Sequence, residues 1–469
     1  MNPFSILALI LLFSLPAFAQ QRWERNYGGG RDDEGYSVQQ TADGGYIIVG
    51  YTDSYGNGDQ VYLVKTNPFG DTLWTRTYGG PLGDLGASVQ QTSDGGYIIT
   101  GSTTSFGAGN WDVYLIKTDS TGSTLWMKTY GKASGDDGRS VQQTSDGGYI
   151  IAGGTYSAGS STQVYLIKTN SSGDIRWTQE YGGTSEDESY SVRQTSDGGY
   201  IIAGTTASFG GGFQVYLVKT DSTGDTLWTR SYGGGADDRG RSVQPTTDGG
   251  YIIAGMTWSF GVGSDVYLIK TNTTGDTLWT RNYGGSGWEC SNSCQQATDG
   301  GYIIAGQTGS FSNAYQVYLL KINVRGDTLW TRTYGGADYE DGKSVQQTQD
   351  GGYIVTGYSN SFGNSRQVYL IKTDAYGSSR VEESRQGDKE TRRQGERLRA
   401  TPNPFTSFAS VPGHEAERFS LYDIAGRKVG TYPGSRIGEG LSPGVYFLRY
   451  QEMLKQVQHD EIVRIVKVR

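Results

Sequence analysis

Apolar residues in this chain fall in short continuous runs such as Tyr-Ile-Ile-Ala and Val-Tyr-Leu-Ile, not at alternate positions or helical spacing. Runs of this length without alternation predict strands buried on both faces. From Ser242 to Gly285 the pattern predicts four strands, Ser242–Gln244, Tyr251–Thr257, Asp265–Thr271 and Thr277–Tyr283. The turns Thr247-Asp248-Gly249-Gly250 and Asn272-Thr273-Thr274-Gly275-Asp276 separate the outer pairs as tight hairpins, with Gly supplying the positive φ. The middle connection is a longer Gly-rich loop around Phe260-Gly261.

This unit recurs. Asp-Gly-Gly-Tyr begins at Asp43, Asp94, Asp146, Asp197, Asp248, Asp299 and Asp350, and a Trp keeps the same period at Trp23, Trp74, Trp126, Trp177, Trp228, Trp279 and Trp330. Four antiparallel strands per unit, each unit covered on both sides by its neighbours, predict the blades of a β-propeller. The repeats are offset from the chain ends. Arg22–Tyr27 is a lone fourth strand, and the seventh unit stops after its third, Val368–Thr373. The first strand therefore completes the last blade and closes the ring, which removes exposed sheet edges. The expected fold is all-β: a seven-bladed propeller over residues 20–377, then a small C-terminal β-sandwich. One Trp buried per blade is expected to pack the repeat, at about 2–3 kcal/mol each.

Composition narrows the chemistry. Of the 73 glycines among 469 residues, 64 precede residue 378, about nine per repeat, where they make turns. The two histidines are His414 and His459, so residues 1–413 lack a His base, a Ser-His-Asp triad or His-ligated zinc. Residues 378–469 hold 16 Lys and Arg against 12 Asp and Glu, a net of +4, which leaves −12 for residues 1–377. So acidic a propeller would repel nucleic-acid phosphates, and no nucleic-acid partner is expected.

The repeated Asp-Val-Tyr-Leu-Ile-Lys-Thr, Gly-Asp-Thr-Leu-Trp, Tyr-Gly-Gly and Tyr-Ile-Ile-Ala-Gly over residues 22–377 resemble the bacterial SBBP-type β-propeller repeat. The resemblance implies an extracytoplasmic propeller and no established activity. Residues 1–19 read as a signal peptide, with an apolar run from Ile6 to Phe13 and an Ala17-Phe18-Ala19 cleavage site. No later segment is expected to span a membrane. Residues 378–400 are a charged low-complexity linker. Beyond it, Thr401-Pro402-Asn403-Pro404-Phe405, Phe419–Val429, Leu441–Leu448 and Val463–Arg469 resemble the C-terminal sorting domain (type A) of the bacterial type IX secretion system. That resemblance assigns residues 401–469 to the secretion machinery, with secretion or outer-membrane surface display as the destination.

Two groups of residues invite a site. An acid sits six positions after each Tyr of the Tyr-Gly motif: Asp33, Asp84, Asp136, Asp187, Asp238, Glu289 and Glu340. A ring of oxygen ligands for Ca²⁺ is one reading. Carboxylates holding loop N–H groups is the other, and the favoured one, because a position repeated in every blade serves the repeat. No cofactor is expected beyond that calcium option. In the loops, Phe106, Phe209, Phe260, Phe311 and Phe362 recur in frame, whereas Trp111, Phe213, Trp258, Trp288 and Tyr315 do not. Those five form the candidate ligand face, since rings stack on sugar C–H groups while acids accept hydroxyls. Cys290 and Cys294 leave open a local disulfide or a buried free thiol. The leading expectation is a non-enzymatic propeller that binds glycan, protein or matrix. The alternative is an extracellular glycosidase or lyase using paired carboxylates.

Overall fold

The computed structural model describes residues 22–379, except 157–160, 313 and 364, together with 418–423, 428–433, 436, 444–450 and 462–467. The expected signal peptide and nearly all of the linker lie outside the described residues. The chain divides into two compact units, Met1–Glu382 and Glu383–Arg469.

In the first unit, 28 strands form seven four-stranded antiparallel sheets. Blade one runs Asp33–Gln40, Tyr46–Thr52, Gln60–Thr66 and Thr72–Tyr78, from innermost to outermost. Blade seven joins Glu340–Gln347, Tyr353–Ser359 and Gln367–Thr373 to Trp23–Tyr27, which pairs antiparallel from Trp23↔Lys372 to Tyr27↔Val368. The first strand thus closes the ring. The described residues of the second unit form one antiparallel sheet. Its chain-order strands are Arg418–Asp423, Lys428–Pro433, Gly444–Tyr450 and Ile462–Lys467, with the first between the second and third. A second layer, as a sandwich requires, is not among them.

The apolar runs are buried on both faces because each blade is packed between two others. Ile47, Val49, Val61 and Leu63 of blade one meet Val89, Tyr97, Ile99, Tyr114 and Ile116 of blade two. Fully burying each such aliphatic side chain is worth about 1.5–3 kcal/mol.

The repeated Trp lies on the outer strand and reaches the next blade. Each ring meets a Tyr of the following Asp-Gly-Gly-Tyr, from Trp23–Tyr46 to Trp330–Tyr353, at 5.7–6.2 Å between centroids. Only Trp23 is fully buried, at 8% exposure; the other six are half-buried, because the outer strand faces solvent. The neighbouring turn must carry Gly here: a Cβ on Gly70 would lie 2.8 Å from the Trp23 ring. Beside it, the Tyr27 hydroxyl donates to the Gly70 carbonyl at 2.7 Å, and the bond recurs at all seven junctions.

At the same end of each blade a buried Lys, paired across the ladder with the Trp, explains the Asp-Gly-Gly turn. Lys219 Nζ, its side chain 4% exposed, meets Asp197 Oδ2 at 2.9 Å and donates to the Thr220 carbonyl at 2.8 Å. The pairing recurs in every blade, from Lys65–Asp43 to Lys372–Asp350. A Cβ on the second Gly, as at Gly199, would lie 2.1 Å from that Thr carbonyl and 2.8 Å from Nζ. Burial alone would raise the Asp197 pKa. The Thr195 hydroxyl, the Lys219 ammonium and the Gly199 N–H outweigh it and hold the carboxyl at about 2. Its ionised form therefore stabilises the fold above the unfolded value near ~3.9, and the contribution disappears as pH falls through about 2. Asp197→Asn is expected to lower stability by about 1 kcal/mol at neutral pH. Urea midpoints of parent and variant should converge as pH approaches 2; a gap unchanged with pH would show that the pair does not titrate with folding.

Candidate functional site

The seven inner strands surround an axial channel. Its lining is mainly Ser, Val and Gln, including Ser37, Val38 and Gln39 of blade one, around a cavity of about 210 Å³. Hydrogen bonds link each strand to the next. The Ser Oγ of one blade accepts the N–H of the Val, or of Cys294, in its neighbour, at 3.2–3.3 Å around all seven junctions.

Toward the loop-rich face every inner strand carries a β-bulge. The residue skipped by the ladder is Tyr36, Ala87, Arg139, Tyr190, Arg241, Asn292 and Lys343 in turn. A bulge re-aims its side chain, and at Arg139, Tyr190, Arg241 and Asn292 that side chain meets the neighbouring blade. Arg139 Nη1 meets Glu188 at 2.8 Å and its Nη2 meets Asp137 at 2.7 Å. Arg241 lies over the Tyr190 ring and donates to Asn292 Oδ1 at 2.9 Å, and Asn292 Nδ2 donates to Asp341 at 2.8 Å. Lys343 pairs with Asp341, Arg366 pairs with Glu34, and Tyr36 and Tyr51 donate to Glu34 at 2.8 and 3.2 Å. Burial works to raise the Glu188 pKa, but the Arg139 guanidinium holds it below the usual range.

This belt runs from blade three round to blade one and is interrupted at blade two, where Leu85 and Ala87 occupy the equivalent positions. At the interruption a pocket of about 280 Å³ opens between Trp111 and Tyr156, with Leu85, Ser102, Gly135, Asp136 and Asp137 lining it. Asp137 is fixed by Arg139 and by the Gly154 N–H at 2.7 Å.

The five aromatic residues expected to share a ligand face are not gathered into one patch. Trp111 walls the pocket. Phe213 lies beneath Arg239, 4.6 Å from the guanidinium carbon to the ring centroid. Trp258 is exposed at 37%. Trp288 and Tyr315 do meet, at 5.7 Å, and Tyr339 and Tyr358 extend them into a row. The in-frame Phe residues each pack on the Tyr of Val-Tyr-Leu, at 5.4–5.9 Å, from Phe106–Tyr114 to Phe362–Tyr369. The bulge residues were not singled out by sequence reading. Their signal is a position that changes in nearly every copy, directly before a constant Ser.

Each of the seven loop carboxylates accepts the backbone N–H four residues earlier, at 2.7–3.1 Å. Six of them also take a Ser hydroxyl from the adjoining loop, as Ser54 gives to Asp33 at 2.7 Å. Each acid therefore serves its own loop, and no group of three or more His, Cys, Asp or Glu is arranged to hold a metal ion among the described residues. Cys290 and Cys294 are both free and buried. The disulfide option fails because both lie on one extended strand, Glu289–Gln296, where residues four apart are separated by about 13 Å, beyond disulfide reach. Burial pushes both thiols up to about 11.

These features define a seven-bladed β-propeller with a charged axial mouth and one aromatic pocket. No family profile matches the chain. Among curated proteins it is similar to the regulatory protein FlaEY of Caulobacter vibrioides, 26% identical over 196 residues, covering 36% of this chain and 20% of that protein. The match thus spans about a fifth of the relative's length. Among solved structures, a Bacteroides caccae protein of unknown function is 15% identical, covering 58% of this chain and 89% of that one, with a TM-score of 0.39. The Pan2 WD40 domain of Neurospora crassa is 10% identical, covering 77% and 99%, with a TM-score of 0.46. Such similarity transfers neither activity nor ligand. No helix among the described residues is long and apolar enough to cross a membrane.

Both thiols should resist a neutral thiol reagent in the folded protein and react together on denaturation, because burial disfavours the thiolate. Two fewer reactive thiols in denatured, unreduced protein would indicate a disulfide.

Proposed function

We propose that this chain is an exported, non-enzymatic propeller that binds a glycan in the pocket between blades two and three. The observation that carries the reading is the pairing of Trp111 and Tyr156 rings with an oriented carboxylate, Asp137, at the apolar break in an otherwise charged belt. Aromatic walls suit the C–H faces of a sugar ring, and a fixed carboxylate accepts its hydroxyls. A cavity of about 280 Å³ is at the small end of ligand sites, which suits one ring of a longer chain better than a whole oligosaccharide. Asp137 is already engaged by Arg139 and a backbone N–H, an arrangement for holding a ligand rather than transferring protons. The resemblance of the repeats to SBBP-type propellers and of residues 401–469 to a type IX sorting domain supports an extracytoplasmic setting, with surface display or release after export.

A glycan and polysaccharide panel, read for both binding and turnover, tests this. Trp111→Ala with Tyr156→Ala should weaken the recognised glycan at least tenfold, since each stacked ring contributes about 1 kcal/mol beyond its burial. Trp258→Ala, outside the pocket, should leave affinity unchanged. Unaltered binding in the double variant, or product formation by the parent, would overturn the reading. A chain lacking residues 401–469 should remain in the periplasm of its host; undiminished surface display would remove the tail from the account.

A further inference from the structure

The channel's second set of inter-blade bonds forms at five of its seven junctions; Gln244 and Gln296 do not make theirs, and at one further junction the residue types forbid it. Near the Asp-Gly-Gly face, Gln Oε1 atoms accept a backbone N–H from the next blade at 2.6–2.7 Å, Gln39 from Gln91, Gln90 from Gln143, Gln142 from Gln194, Gln295 from Gln347 and Gln346 from Gln40. Blade four carries Arg193 where these blades carry Gln, and the residue that would donate to it is Pro245. A guanidinium has no acceptor and proline has no N–H, so Arg193 removes the acceptor of this bond and Pro245 its donor. The outer set shows the same break. The second Gln of each blade takes an N–H from the preceding blade's turn at six junctions, and the seventh would need Pro245.

Arg193 therefore lines the channel as a cation among Ser, Val and Gln. Nη1 donates to the Val192 carbonyl at 2.7 Å, the one hydrogen bond its five N–H donors make among the described residues. No carboxylate lies within ion-pair distance among the described residues, whereas nearer the other mouth Arg139 has two and Arg366 one. Burial also lowers the Arg193 pKa, in keeping with an unneutralised charge. Enclosing a charge without a partner is costly, and a planar fork with unused donors matches a small oxyanion.

We propose that the axial channel is a binding site for one small anion, a sulfate-, phosphate- or carboxylate-sized oxyanion, held by the Arg193 guanidinium. The site is separate from the glycan pocket and does not depend on it. The channel's volume, about 210 Å³, admits such an ion together with water.

The test uses the whole mature chain at constant ionic strength. Sulfate, phosphate and acetate are each titrated while thermal midpoint and heat of binding are followed. The control is Arg193→Gln with Pro245→Gln, which restores the pairing of five other junctions and so should fold. At least one of the anions should raise the parent midpoint saturably, by about 2 °C or more beyond the rise in the double variant. Binding heat should appear in the parent alone. General salting effects act on both proteins equally. Equal rises and no saturable heat with any of the three would overturn the site. Full binding retained in the double variant would place an anion elsewhere and equally overturn it.

Discussion

The structure depends on the contact between one blade's outer strand and the next blade's turn. No blade can bury its own apolar strands, since both faces of each sheet are apolar; each needs a neighbour on either side. The Trp ring over a Cβ-less Gly, the Tyr it meets edge-on and the Tyr hydroxyl on that Gly carbonyl fix the spacing of adjacent blades. Seven repetitions of that contact make a ring only if the last junction is like the others. It is, because Trp23 and Tyr27 come from the chain's beginning and meet Gly70 and Tyr46 as Trp74 meets Gly122 and Tyr97.

Once the ring is closed, its symmetric positions are engaged in holding it. The Lys–Asp pairs and the Ser level of the channel are satisfied within the repeat, and each loop carboxylate is tied to its own loop. Chemistry left over for a ligand resides where copies differ. The bulge residues form a charged belt with one apolar interruption, where the aromatic pocket opens. Arg193 and Pro245 form the one junction of the channel whose residue types forbid the Gln-level hydrogen bond. The two departures lie toward opposite ends of the axis and are proposed to take different ligands.

Much of this fold was legible because seven near-copies amplify a weak strand signal. Spacing gave the blade count, and the offset of the chain ends gave the closure. The inner strand is longer than its pattern predicts: Ser242–Gln244 belongs to the second half of Asp238–Pro245, whose Gly and Arg residues around the bulge hide its beginning. The buried Lys was missed because a cation inside an apolar run is ordinarily a solvated end, and its partner Asp lies twenty-two residues earlier, across a hairpin. Loop aromatics were visible as a set, but which of them meet depends on loop courses that spacing does not determine. Trp111 found Tyr156, Trp288 found Tyr315, and Trp258 remained outside both pairs.

Ring closure by the N-terminal strand is the central physical claim, and strand complementation tests it most directly. A chain beginning after Gly30 should melt at a lower temperature than the parent and lose the sharpness of its transition, because blade seven lacks its outer strand and the Trp23 contact. A synthetic peptide of residues 20–30 added to it should raise the midpoint with saturable dependence on peptide concentration, and a Trp23→Ala peptide should do so more weakly. A shortened chain as stable as the parent and indifferent to the peptide would contradict closure by this strand.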